Sequence, residues 1–349
     1  MTGRRVRVGV IGTGFGAAVQ IPAFQANPRF EVVAVASGQP RNAHRVASEF
    51  EIAHAFARWE DLISADLDLV SVTAPPHLHH AMTVAAIGAG RHVLCEKPMA
   101  LAVSEAEDMV RRAEAAGIVA VIDHELRFNL NRRKVKRLIA DGYIGEPRHV
   151  LITYIGAHRA DPDQPWTWWN DASRGGGVLG AVGSHQIDLL RYWLGEIEAV
   201  SGALATYVKQ RPADDGAARR VTADDLATFW LRFASGAVAS VFLSLVAAHS
   251  CGPRVEVWGA EGSLVIDADE RLWGARRGRD FEELTEPDAL SPPPRTTYWP
   301  LWSLGFVRLA DHLAAAILDG GALAPAATFR DGLAVQRVIA ALMEKPKTN

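Results

Sequence analysis

Cysteine is nearly absent: 349 residues hold two, Cys95 and Cys251. Two thiols give no disulfide framework and no metal-ligand spacing, so no metal site is expected. Lysine is scarce too. The chain has 31 arginines and six lysines, so its positive charge is almost all guanidinium, which stays protonated and exchanges protons poorly. No excess of either charge stands out: the formal net charge is −3 and no basic run occurs, which argues against a nucleic-acid surface. No apolar stretch is read as long enough to span a bilayer. Met1-Thr2-Gly3-Arg4-Arg5 runs into the first apolar segment with no signal-peptide pattern. These absences predict a cytoplasmic protein with a small-molecule substrate and no nucleic-acid or membrane partner.

What is present suffices for two domains at about 150 residues each, with 49% hydrophobic residues to fill their cores. Residues 1–124 alternate short apolar strands with helices. Strands are read at Arg5–Ile11, Glu31–Ala36, Asp68–Thr73, Arg91–Cys95 and Ile118–Ile122. Helices are read from about Phe15, over Arg41–Phe50 and Leu78–Ile87, and from a capping box at Ser104-Glu105-Ala106-Glu107 to Gly117. Apolar strands between helices predict a doubly wound parallel sheet covered on both faces. Residues 125–349 read differently. A helix at Arg132–Asp141 precedes β-rich segments at His149–Ala157, Ala199–Val208, Leu226–Phe233, Ala237–Leu245, Val255–Trp258 and Ser263–Asp267, interrupted by a helix at Val178–Leu194. This predicts an α/β domain with a large open, mostly antiparallel sheet, including a hairpin turn at Ala234-Ser235-Gly236. A proline-rich excursion over 275–300 and helices at Leu304–Leu318 and Arg330–Met343 close the chain. The last helix is a candidate to pack back on the first domain.

Gly12-Thr13-Gly14-Phe15-Gly16-Ala17 follows the first strand as G-x-G-x-x-A. Gly12 permits the turn, Gly14 lets backbone approach a pyrophosphate, Ala17 allows close helix packing, and the helix start offers amide donors. The second strand ends Ala36-Ser37-Gly38-Gln39-Pro40-Arg41 with no acid for a ribose diol. Ser37 and Arg41 suit a 2′-phosphate, so NADP is favoured and NAD stays possible. The alternative for Arg41 is a solvated helix-opening residue. Ala74-Pro75-Pro76-His77-Leu78-His79 fixes a turn at the carboxyl edge of the sheet, where ligands bind. There His79 either orients backbone or is a surface residue. Cys95-Glu96-Lys97-Pro98 ends the strand at 91–95 and places a rare amine at the same edge. Glu344-Lys345-Pro346 repeats the tripeptide in the tail, without that context.

These motifs, with Gly175-Gly176-Gly177-Val178-Leu179-Gly180-Ala181-Val182-Gly183-Ser184-His185-Gln186-Ile187-Asp188, Arg127-Phe128, Asp141–Glu146 and Ala327–Gly332, occur in an order that closely resembles the Gfo/Idh/MocA family. The resemblance covers essentially the whole chain. It implies an N-terminal Rossmann domain and a second domain whose open sheet forms a subunit interface, hence a homodimer or homotetramer. It implies oxidation of a secondary alcohol of a sugar, inositol or related polyol, or the reverse. It places Lys97, behind a cis Lys-Pro bond, near both nicotinamide and substrate hydroxyl, with Glu96 beside it, and gives His185 an acid/base role. An ammonium stabilises a developing alkoxide, and an imidazole titrates near neutral pH. Many relatives carry an aspartate where this chain has Ala181. Asp188 shares a helix face with His185, and the small residues at 180 and 181 leave room for a bulkier substrate. Trp166, Trp168 and Trp169 offer rings for a sugar face, with Trp168 taken as the contact, and Arg127 is a candidate for a substrate hydroxyl or carboxylate. The rival readings are a catalytically silent dinucleotide-binding sensor, and a dehydrogenase of a non-sugar substrate such as a dihydrodiol.

Overall fold

The structure, a computed structural model, describes residues 3–298 and 300–344. Met1, Thr2 and the Lys345-Pro346 of the second Glu-Lys-Pro lie outside the described residues. The chain forms two compact units: Met1–Asn129 with Ala289–Ala334, and Leu130–Asp288 with Val335–Asn349. The first unit thus runs slightly past residue 124 and recruits a later segment.

In the first unit, β1 (Val6–Ile11), β2 (Phe30–Ala36), β3 (His54–Phe56), β4 (Leu69–Val72), β5 (His92–Cys95) and β6 (Ala120–Ile122) are joined by the edge strand Ala327–Thr328. The order is Ala327–Thr328, β6, β5, β4, β1, β2, β3. All pairs are parallel except that of the edge strand. Alternate residues fill opposite faces, as the strand period of two requires. Val6, Val8, Val10, Leu69, Leu94 and Val121 enter one core, and Ile11, Val70, Val72, Val93, Cys95 and Ile122 the other. Helices α1 (Ile21–Ala26), α2 (Pro40–Glu49), α3 (Trp59–Ile63), α4 (His79–Gly88) and α5 (Val103–Ala116) connect the strands.

Three expectations change here. Helix α5 starts at Val103, and the acid that caps it is Glu105, whose Oε2 accepts from the Leu101 and Ala102 amides at 3.0 and 3.2 Å. The expected box at Ser104 and Glu107 is therefore displaced by two residues. β3 and α3 carry too little apolar periodicity to stand out in the sequence. The helix Pro300–Asp319 is, by length and composition, apolar enough to cross a membrane, contrary to the reading of no such stretch. Its Phe306, Leu309, Ala310, Leu313 and Ala314 lie in the first unit's core, which accounts for that composition.

The second unit holds an eight-stranded sheet. Its strands are β7 (Pro147–Ile155), β8 (Ile197–Ala205), β11 (Leu226–Phe233), β12 (Val238–Ser244), β13 (Gly252–Gly259), β14 (Gly262–Ile266), β15 (Leu272–Arg276) and β16 (Glu282–Glu283), with a separate β9–β10 hairpin (Gln210–Pro212, Ala218–Arg220). The order is β16-β15-β14-β13-β7-β12-β11-β8. Only β7–β12 is parallel. Val150, Ile152, Phe229, Leu231, Val241, Leu243, Val255 and Val257 share one core with residues of α6 (Leu130–Ala140) and α7 (Ser184–Leu194). Their neighbours Leu151, Trp230 and Phe242 are exposed.

Candidate active site

The glycine turn after β1 is built as a ligand cradle. Gly12 has φ +123°, and a Cβ there would lie 2.3 Å from Thr73 Oγ1, so only glycine fits. The Cβ position of Gly14 meets nothing within 4 Å, leaving its backbone approachable. Close packing falls to Gly16 rather than to Ala17. A Cβ at 16 would lie 2.6 Å from Thr73 Oγ1 and 3.0 Å from Val10 Cγ1, whereas Ala17 is only partly buried. One π-helical turn, Gly16–Gln20, precedes α1. The Phe15 ring packs edge-on against Tyr298 at 5.4 Å. Thr13 Oγ1 donates to Ser37 Oγ at 3.4 Å. Arg41 is exposed in the first turn of α2 and makes no ion pair among the described residues. This turn fits a dinucleotide: an open backbone face and free amide donors, with hydroxyls and a guanidinium where β2 ends.

The carboxyl ends of β4 and β5 carry the other two first-unit motifs. His79, fully buried, bridges them: Nε2 lies 2.7 Å from the Ala74 carbonyl and Nδ1 2.9 Å from the Pro98 carbonyl. Burial pushes its imidazole down to about 4, against the pull of the two carbonyls, only one of which a neutral ring can donate to. His79 therefore fastens the Ala74-Pro75 turn to the Lys97-Pro98 turn; it is the backbone-orienting residue, not a surface one. The Lys97-Pro98 bond is cis. Lys97 is half-buried, and its amide donates to Glu96 Oε2 at 3.2 Å.

Behind Lys97 lies a polar network that sequence reasoning missed. Gln20, last residue of the π turn, donates through Nε2 to Glu96 Oε1 at 3.0 Å and to Asp123 Oδ2 at 2.8 Å. Its Oε1 accepts from Ser71 Oγ on β4. Gln20, Ser71, Asp123 and Glu125 are almost fully buried, and Glu96 is 7% exposed. Burial pushes the Glu96 carboxyl up, opposed by the Lys97 charge. Asp123 is pushed further, by burial and then by Glu96 and Glu125. Glu125 is pushed up to about 8 by burial and by Glu96. Asp123 and Glu125 follow β6 directly, next to the end of β5. Their position at the sheet's carboxyl edge was the available signal. Arg127, two residues on, is committed elsewhere: Nη2 pairs with Asp331 at 3.2 Å and Nη1 donates to the Pro325 carbonyl at 3.3 Å. The structure thus gives its guanidinium a role within the first unit.

In the second unit, the glycine run is pinned by another residue the sequence did not reveal. Asp224 Oδ2 accepts from the Leu179 amide at 2.8 Å and its carbonyl from the Val178 amide at 2.9 Å. Gly177 has φ +117°, and a Cβ there would lie 2.2 Å from Asp224 Oδ1. At Gly176 a Cβ would lie 2.2 Å from the Trp169 carbonyl. Burial raises Asp224 to about 6 against the pull of those amides. A second π turn, Leu179–Gly183, leads into α7, where His185 and Asp188 are each 1% exposed. Such π turns recur at functional sites. Of the tryptophans, Trp169 stacks under Arg159 at 4.3 Å and Trp166 under Arg219 at 3.5 Å. The Trp168 side chain makes no such contact among the described residues.

A Rossmann sheet, a glycine cradle and a rare amine at the strand ends define a class, the NAD-binding oxidoreductases. Residues 6–124 match the model of the oxidoreductase family with an NAD-binding Rossmann fold, and residues 132–265 match the GFO/IDH/MocA C-terminal domain. The chain belongs to the GFO/IDH/MocA family. It is 32% identical over 297 residues to an uncharacterized oxidoreductase of Synechocystis, covering 82% of this chain and 80% of that one. It is 29% identical to a levoglucosan dehydrogenase of Pseudarthrobacter phenanthrenivorans, covering 98% and 96%. A solved levoglucosan dehydrogenase in complex with NADH and L-sorbose superposes with a TM-score of 0.85 at 28% identity, covering 97% and 96%.

Proposed function

We propose that this chain moves hydride between a nicotinamide cofactor and a secondary hydroxyl or carbonyl of a sugar, inositol or related polyol. The observation that carries this reading is Lys97: a half-buried amine at the end of β5, in the same unit as the Gly12 cradle. The Gly12–Gly16 turn, Ser37, Arg41 and the Ala74-Pro75 turn would hold the cofactor, which supplies the hydride chemistry. Lys97 as an ammonium binds the substrate oxygen and offsets the negative charge that develops there. Lys97 is also a group able to exchange a proton with that oxygen, and the family resemblance gives His185 an acid/base role. The levoglucosan dehydrogenase relative, solved with NADH and L-sorbose, supports a sugar-like substrate. Trp168 offers an uncommitted ring for its apolar face. Turnover of sugars and polyols by purified protein, lost in Lys97→Met, tests the assignment. Turnover retained in that variant would end it.

NADP is the proposed cofactor, because β2 ends without an acid and Arg41 has no ion pair among the described residues. Calorimetric titration with NADPH and NADH tests this. Arg41→Ala should weaken NADPH about tenfold, the worth of one charge-assisted bond, and leave NADH unchanged. A preference for NADH would overturn it. The exposed row of Leu151, Trp230 and Phe242 supports a homodimer or homotetramer through the second sheet, which light scattering tests.

A further inference from the structure

The proline-rich excursion ends on the glycine turn. Residues 289–298 belong to the first unit, although the whole of Leu130–Asp288 intervenes in sequence. Three ties within residues 295–298 hold the segment there. Arg295 Nη1 donates to the Glu49 carbonyl at 2.7 Å, and its guanidinium lies 5.8 Å from the centre of the buried Phe50 ring. The Thr297 amide donates to the Ala18 carbonyl at 3.2 Å. The Tyr298 and Phe15 rings meet edge-on, 5.4 Å between centres at 84°. Each tie lands on an element of the cofactor cradle. Glu49 ends α2, whose first turn carries Arg41. Ala18 lies in the π turn, and its own amide donates to the Gly14 carbonyl at 3.0 Å. Phe15 stands inside the glycine fingerprint. Two devices fix the path. Pro292, Pro293 and Pro294 lock φ at three successive positions, and Arg295 sits at φ +66°, where a non-glycine residue is uncommon. Such strain persists only where the surroundings over-determine it, and it gathers at ligand clamps. Yet Tyr298, fastened this way, keeps 51% of its surface exposed. The side chains on either side of Gly14 go to different partners: Thr13 to Ser37 where β2 ends, and Phe15 to Tyr298. The end of β2 receives the adenosine ribose and the glycine turn the pyrophosphate. Phe15 and Tyr298 are left for what lies beyond the pyrophosphate.

We propose that Tyr298 is a cofactor-binding residue: with Phe15 it walls the nicotinamide ring, and residues 295–298 are a strap that the bound dinucleotide tightens onto the glycine turn. The inference rests on the reading of the Gly12–Gly16 turn as the cofactor cradle. An aromatic side chain suits the role because it gives a flat heterocycle a large apolar surface at little conformational cost, with a hydroxyl at one end. The strap joins the two sides of the cradle. Through Arg295 it holds α2, which presents Arg41 at its other end, and through Tyr298 it holds Phe15. A dinucleotide that fills the cradle from Arg41 to Phe15 therefore favours the strap in place, and the strap in place favours the dinucleotide.

Calorimetric titration of the full-length protein tests the wall. The probes are NADPH and NADH beside ADP-ribose and its 2′-phosphate, which carry every part of the cofactor except the nicotinamide. Tyr298→Ala should weaken the reduced dinucleotide about tenfold, the worth of one aromatic contact, and leave the ADP-ribose form unchanged. Tyr298→Phe, which keeps the ring, should bind as the parent does. An equal loss for both probes would make Tyr298 a support for the shape of the turn and overturn the proposal, as would no loss or a Phe variant as weak as the Ala variant. A parent protein that binds neither dinucleotide would end the cofactor reading as well; a parent that binds, with a Tyr298→Ala variant that binds equally, ends this inference alone. Hydrogen exchange of the parent protein, followed by peptide mass spectrometry, tests the strap without any variant. The dinucleotide should slow exchange of the amides in 295–298, the Thr297 amide among them, and should do so more than ADP-ribose does. Exchange that either ligand leaves unmoved overturns the strap, even if Tyr298→Ala does not fold. Neither measurement depends on turnover.

Discussion

The surroundings of Lys97 and His185 are built alike and charged differently. Lys97 ends β5 and His185 follows the glycine run, and each neighbourhood includes a π-helical turn: Gly16–Gln20 places Gln20 against Glu96 and Asp123, and Leu179–Gly183 leads into His185. Around Lys97 the polar groups bond to one another, Ser71 to Gln20 to two carboxyls. Around the glycine run one acid, Asp224, is spent on backbone amides. The first arrangement gathers carboxyls around a shared amide and the second holds shape. A buried carboxyl given to amides is geometrically committed, whereas carboxyls facing one another must share protons.

The comparison breaks first at Lys97. Lys97→Met should lower kcat at least about a thousandfold while leaving cofactor affinity within about threefold, the mark of an interaction made mainly in the transition state. Steady-state kinetics beside calorimetry will show it. An equal loss of both would make Lys97 a binding residue only. On the other side the largest effect should be on shape: Gly177→Ala puts a Cβ 2.2 Å from Asp224 Oδ1 at φ +117°. It should cost about 1–3 kcal/mol of stability, the usual strain of such a position, read as a shift in the urea midpoint. Asp224→Ala should cost about 1 kcal/mol as a lost helix cap, by the same measurement. A loss no larger than that of an exposed substitution would refute the pinning role.

The smallest effect is a pH slope. Glu125 is raised on folding, to about 8, so the native state holds its proton more tightly than the unfolded chain does. That contribution is fully present below the ordinary carboxylate range, about 4.3, and is lost as pH rises to about 8. Stability of the parent should therefore fall through this window, by at most about 1.4 kcal/mol per pH unit for one group. Glu125→Gln should flatten the slope, and thermal unfolding at several pH values will show it. Asp224→Asn should flatten a narrower one ending at about 6.

Local features of the site were legible in the sequence. The Gly12 turn, the strand ending at Cys95, the Lys97 motif and the glycine run before His185 each depend on residues close in the chain. Other features were not. Arg127 read as an open guanidinium because its partners, Pro325 and Asp331, lie about 200 residues away in sequence. Asp224 looked like any loop acid until its carboxylate was seen on the Leu179 amide. Asp123 and Glu125 looked like ordinary charges following a strand.

The sequence by itself determined the two-unit α/β plan, the cradle and the rare amine, because strand period, glycine geometry and composition are short-range properties. Only the tertiary structure decided which carboxyls face one another, that His79 fastens two turns, and that the helix Pro300–Asp319 belongs to the first unit's core. Those outcomes depend on desolvation and on contacts between distant segments, and both arise only when the parallel sheet brings its strand ends to one edge.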